Sequence, residues 1–127
     1  MVTGRLSGAM GLGLAAIALA SCASFGNTNA VKEANELAIS CRTEEALAAS
    51  TQASSGETLA RELAELQKVV ILRDAGRLEE ADRALDLRNQ RVKADAQTRA
   101  ETEQAVEQSV ADLRAQRTDR TGQPLCT

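Results

Sequence analysis

The chain has 127 residues, a formal charge of −3, one phenylalanine and no histidine, tryptophan or tyrosine. Without histidine, neither a nucleophile–histidine arrangement nor a histidine-based zinc site can be assembled. A mildly acidic chain without a basic cluster leaves no electrostatic footprint for nucleic acid. Composition therefore points to a non-catalytic protein that works through contacts, with no cofactor and no small-molecule substrate evident.

The chain opens on a short basic stretch, residues 1–5, whose one charged side chain is Arg5. Residues 6–20 are apolar or small, with Leu12, Leu14, Ile17 and Leu19 on a glycine and alanine background. At about 15 residues, this run is shorter than the roughly 20 needed to span a bilayer as a helix. With Ala20 and Ser21 before Cys22, the segment has the three parts of a secretory signal. The order Leu19-Ala20-Ser21-Cys22 resembles the lipobox of bacterial lipoproteins. That resemblance implies a diacylglyceryl group on Cys22, cleavage between Ser21 and Cys22, and acylation of the new amine, as by palmitate. Several acyl chains supply the stable anchoring that a single chain does not. Residues 1–21 are then a signal peptide. Ala23, rather than aspartate, after the cysteine implies by the same resemblance the outer membrane, facing the periplasm.

A chain starting at Cys22 would hold 106 residues with a charge of −4, enough for one small domain. It holds 20 residues of Val, Ile, Leu and Phe, of which 10 fall between Leu59 and Leu87. The core is expected there, with alanine doing the packing elsewhere. Residues 22–29 read as the lipidated cysteine and a polar tether. The eight residues 23–30 reach at most about 28 Å, so the domain stays close to the membrane. Phe25, on this tether, either stands in solvent or dips into the lipid interface.

From residue 29 onward the composition is helical, rich in Ala, Glu, Leu, Arg and Gln. Helices are expected over 30–40, with Val31, Ala34, Leu37 and Ala38 on one face, and over 43–53. Ser54-Ser55-Gly56-Glu57 breaks the chain, and the Ser54/Glu57 spacing fits a capping box for the next helix. That helix runs to about residue 74 on the stripe Leu59, Leu63, Leu66 and Val70. Residues 69–72 are apolar on all sides and are expected to be the most buried turn. Ala75-Gly76-Arg77 is a tight turn. Leu78, Ala81, Leu85 and Val92 then line a face of a further helix. The helical domain is bounded as 30–118 and the tail as 119–127, because glycine and proline reappear only at Gly122 and Pro124. The alternating charges over 99–120 read as a solvated face. Glu44-Glu45 and Glu79-Glu80 read as first-turn acids favoured by the helix dipole.

Offsetting the chain by 35 residues lays Leu37, Arg42, Glu44, Glu45 and Ala46 over Leu72, Arg77, Glu79, Glu80 and Ala81. This period and the Ala-Gly-Arg-Leu-Glu-Glu-Ala string resemble tetratricopeptide repeats. The resemblance implies an all-α fold of short antiparallel helical hairpins, with Ala46 and Ala81 where paired helices touch. Glu65, Val69, Lys93 and Cys41 depart from that pattern.

Assigning Cys22 to lipid leaves Cys41 and Cys126 as an even pair in an oxidising compartment. A single helix over 79–118 would be about 60 Å long and would hold the two thiols apart. A bend near 89–95, with a fifth helix over 96–118, would return about 35 Å and make the bond feasible. The lack of a helix breaker favours continuity; the sparse apolar residues Val106, Val110 and Leu113 suit a helix lying on one neighbour. Functionally, three readings follow: an interaction module whose partner is another envelope protein or a second copy, a structural lipoprotein associated with the cell wall, and, least supported, a catalyst.

Overall fold

The computed structural model describes residues 28–126 other than Glu57. Among these residues the fold is all-α, with five helices: α1 Thr28–Ile39, α2 Thr43–Ala53, α3 Thr58–Asp74, α4 Leu78–Arg91 and α5 Ala96–Thr121. Ser21, Cys22 and Phe25 lie outside the described residues.

Three of the helices end through the same device. At the close of α1, the amide of Arg42 donates to the Leu37 carbonyl (2.9 Å) and that of Cys41 to Ala38 (3.0 Å). At the close of α3, Arg77 donates to Leu72 (2.9 Å) and Gly76 to Arg73 (3.0 Å). At the close of α4, Ala94 donates to Asn89 (2.9 Å) and Lys93 to Gln90 (3.2 Å). Each is a Schellman closure, which needs a left-handed residue at its hinge. Cys41, Gly76 and Lys93 fill that role with φ of 62°, 77° and 53°.

The first two closures stand 35 residues apart and match beyond the hinge. Arg42 and Arg77 precede α2 and α4 with nearly the same backbone (φ −94°, ψ 63°; φ −86°, ψ 66°). Each guanidinium also pairs with the acid three residues on, Glu45 and Glu80 respectively. The internal likeness in sequence is therefore a repeated turn in structure. Ala46 and Ala81 are both fully buried.

Residues 69–72 form the centre of the core, each at most 4% exposed. They are joined by Ile39, Leu85, Val106, Leu113 and a set of alanines. α3 is the central helix, in contact with all four others, and α5 lies against α3 and α1.

One open alternative is decided and three expectations need correction. Of the continuous and the bent helix, the chain adopts the bent one: α4 closes at Lys93, and Asp95 starts α5 by accepting a hydrogen bond from the Thr98 amide at 2.8 Å. The physical reason is burial. Val106 and Leu113 are 2% and 1% exposed only because α5 folds back onto α3 and α1, and a projecting helix would leave them in water. The stripe of α3 is buried only in its second half, with Leu59 64% and Leu63 41% exposed, and Leu78 on α4 is likewise exposed. Ser54 does not cap α3; its hydroxyl donates back to the Thr51 carbonyl (2.7 Å), closing α2. The third correction concerns the charged face of α5, described next.

Candidate functional site

The C-terminal ends of α1, α3 and α5 converge on one side of the molecule around Arg117, which is fully buried. Its Nη2 donates to Asp74 Oδ2 (2.6 Å) and to the Ala38 carbonyl (2.7 Å). Nη1 donates to Asp74 Oδ1 (2.9 Å) and the Pro124 carbonyl (2.7 Å), and Nε donates to the Ile39 carbonyl (3.2 Å). Five bonds match the five donors of a guanidinium. Two of the acceptors, Ala38 and Ile39, are carbonyls at the C-terminal end of α1, where positive charge is favoured; the Ala38 carbonyl takes Arg117 in addition to the Cys41 amide. Arg114 Nε also donates to Asp74 Oδ1, at 3.2 Å. The face over 99–120 is therefore not uniformly solvated: Arg117 is the polar centre of the fold.

Beside this knot, Cys41 and Cys126 are joined by a disulfide, with Cα atoms 5.4 Å apart. That separation lies within the range a disulfide spans without moving the backbone. The bend at 92–95 is what brings Cys126 back. The segment after Gly122 is thus held twice, by the bond and by Arg117 on the Pro124 carbonyl.

A second feature lies along α3, between α2 and α4. α2 and α4 both pack on α3, and far less on each other. The result is an open groove of about 280 Å³ lined by Ser50, Ala64, Lys68, Ala84, Leu87 and Arg91, among others. Its origin is the small size of Ser50, Ala64 and Ala84. Position 50 corresponds across the 35-residue offset to Leu85, a core residue. The Ser50 hydroxyl is buried without any hydrogen-bond partner, an uncommon condition for a buried polar group.

Charge at the groove is only partly neutralised. Arg91 Nη2 donates to Glu62 (2.7 Å) and to Glu65, leaving its Nε and Nη1 without partners among the described residues. Arg88 donates to Glu62 (3.2 Å through Nη2) and to Thr102 (3.3 Å). Lys68 forms no ion pair among the described residues. The Arg91 guanidinium, with help from Arg88, holds the Glu62 carboxyl below its ordinary value of 4.5. Arg73 does the same to Glu103, and Arg120 to Glu36.

Of the residues singled out in the sequence, Cys41 and Cys126 come together, while Ser21 and Cys22 lie outside the described residues. Arg117, Asp74 and Ser50 escaped sequence reading. Two signals for them existed: an aspartate in the last turn of a helix, where negative charge is unfavourable, and a serine where the repeat register has leucine. Among the described residues, no cluster of three or more Cys, Asp or Glu is placed to hold a metal, and no helix is long and apolar enough to cross a membrane. No family model, no curated protein and no solved structure matches this chain.

Proposed function

We propose that this protein is a non-catalytic, lipid-anchored component of a bacterial cell envelope that acts by binding another envelope protein through the α2–α3–α4 groove. The single observation that carries the reading is the groove's unmet surface: the exposed side chain of Leu87 beside Lys68 and Arg91 donors that have no ion-pair or hydrogen-bond partner among the described residues. Apolar surface beside unsatisfied polar groups is what a partner satisfies on docking. The anchor is read from Leu19-Ala20-Ser21-Cys22, which places lipid on Cys22 and, with Ala23 after it, the protein at the periplasmic face of the outer membrane. The repeated turn at Cys41 and Gly76 supports reading α1–α2 and α3–α4 as antiparallel, tetratricopeptide-like hairpins.

The test is site-specific photo-crosslinking in living cells, with the probe at position 87 of the full chain. The expected result is one discrete protein adduct, lost when Lys68→Glu reverses the groove's free charge. Absence of any adduct, or an adduct indifferent to Lys68→Glu, would sink the groove reading. Recovery of the protein on purified murein after boiling in detergent would favour a cell-wall role instead. Intact-mass measurement of membrane-extracted protein tests the acyl chains on Cys22 separately.

A further inference from the structure

One face of α4 is left open along the groove. Glu80, Ala84, Leu87 and Arg91 recur at spacings of four, three and four, which sets them in line on one side of the helix. Ala84, Leu87 and Arg91 border the groove, and Glu80 continues the line at the start of α4. Leu87 is 62% exposed, Ala84 is half-buried, and Glu80 and Arg91 are exposed. A large apolar side chain standing in water beside a small one makes a knob beside a hole.

The order along the stripe is acid, small, large, base. Turned end for end, it becomes base, large, small, acid. Two copies of α4 laid antiparallel, about a two-fold axis between positions 85 and 86, therefore match at every step. Glu80 meets Arg91, Ala84 meets Leu87, and the symmetry makes each contact twice. A parallel pair would instead set Glu80 on Glu80 and Arg91 on Arg91. Both ends of the stripe have capacity to spare. Arg91 keeps Nε and Nη1 free among the described residues. Glu80 accepts one bond from Arg77 on each oxygen, at 2.9 and 2.8 Å, and a carboxylate has about four acceptor sites. The helix as a whole repeats the asymmetry, with Glu79 and Glu80 in its first turn and Arg88 and Arg91 in its last. Antiparallel docking also sets opposite ends of the helix dipole side by side.

We propose that the occupant of the groove is a second copy of this chain, docked through an antiparallel α4–α4 contact in which Leu87 of each molecule enters the hollow beside Ala84 of the other. The inference rests on the groove reading above and names its partner. The small side chains of Ser50, Ala64 and Ala84 leave the space that Leu87 fills. One stripe per copy is a small interface, of the transient class.

The crosslinking probe at position 87 of the full chain separates this inference from the groove reading itself. With two differently tagged copies in the same cells, the expected adduct carries both tags and twice the monomer mass, and it joins position 87 to the segment around Ala84. An adduct with a different protein overturns the proposal and leaves the groove reading standing. Absence of any adduct overturns both. Co-capture of the two tagged copies tests the register. Glu80→Arg sets arginine against arginine, and Arg91→Glu sets glutamate against glutamate, so each variant alone should lose about tenfold in self-capture. A copy with Glu80→Arg and a copy with Arg91→Glu restore both contacts, so their mixture should recover capture close to the parent level. A mixture as weak as either variant alone, or no loss in either alone, overturns the antiparallel pairing. Where circular dichroism shows a charge variant unfolded, Leu87→Ala decides, because Leu87 is exposed and outside the core. It should weaken capture about tenfold, and capture at the parent level would overturn the proposal.

Discussion

Two buried polar residues define this protein at the scale of single side chains, and they behave oppositely. Arg117 is buried with every donor matched, so its removal strands the Asp74 carboxylate, 4% exposed, without its main partner. Breaking one side of a buried pair typically costs about 3–5 kcal/mol. Arg117→Ala is therefore expected to lower stability by about that much in urea unfolding. Arg117→Met combined with Asp74→Leu should recover much of the loss, because no charge is left uncompensated; a double variant as unstable as the single one would contradict this account. Ser50 is buried with nothing matched. Ser50→Ala removes the orphan hydroxyl and improves helix propensity, so stability should rise by about 1 kcal/mol. A fall would mean that the hydroxyl has a partner in solution. A gain would mean that position 50 is held below its stability optimum.

Among the elements, the turns decide the topology and the ion pairs tune it. Cys41 and Lys93 occupy left-handed positions that glycine fills at Gly76. A side chain there costs about 1–2 kcal/mol, partly offset in a glycine variant by the entropy of the unfolded chain. Lys93→Gly should stabilise the protein by about 0.5–1 kcal/mol, read from the denaturation midpoint. Cys41 cannot be exchanged in the same way, because the bond to Cys126 uses its side chain. Between helices, Arg73–Glu103, Arg88–Glu62 and Arg91–Glu62 join α3 to its neighbours. The carboxyls of Glu62 and Glu103 sit below 4.5 in the folded chain. Folding therefore favours their ionised forms, and that contribution is complete above pH 4.5 and lost as pH falls through the depressed values. The thermal midpoint should be flat from neutral pH down to about 5.5 and then drop. In the Glu62→Gln, Glu103→Gln variant the acid-side drop should be shallower; an unchanged profile would remove these pairs as its cause.

For the molecule as a whole, stability rests on a thin core closed by one long covalent loop. Small chains bury a modest fraction of their surface, and much of this core is alanine. The Cys41–Cys126 bond spans 85 residues of sequence. In the chain-entropy model, closing a loop of that size contributes about 4–5 kcal/mol. Reduction, or Cys41→Ser with Cys126→Ser, should lower the thermal midpoint by well over 10 °C for a domain of about 100 residues. A shift of only a few degrees would show that the Arg117 knot holds the C-terminal segment without help. Most surface pairs, such as Arg77 with the 81%-exposed Glu44, add little by comparison.

Sequence alone determined the helical class, the limits of α2, the C-terminal limit of α3, the turn at Gly76 and its echo at Cys41. All of these follow from interactions within a few residues: propensity, periodicity and the backbone freedom of a hinge position. It also determined that residues 69–72 would be innermost, because a turn apolar on every side has nowhere else to go. Only the tertiary structure decided that α4 breaks at Lys93, since the local clue was as slight as Asp95 set to receive the Thr98 amide. The decisive force there is burial of Val106 and Leu113 against helices distant in sequence. Only the tertiary structure, too, placed Arg117 inside rather than on a solvated face and brought Cys126 to Cys41. Both depend on where the ends of α1, α3 and α5 meet, and no window of neighbouring residues encodes that meeting.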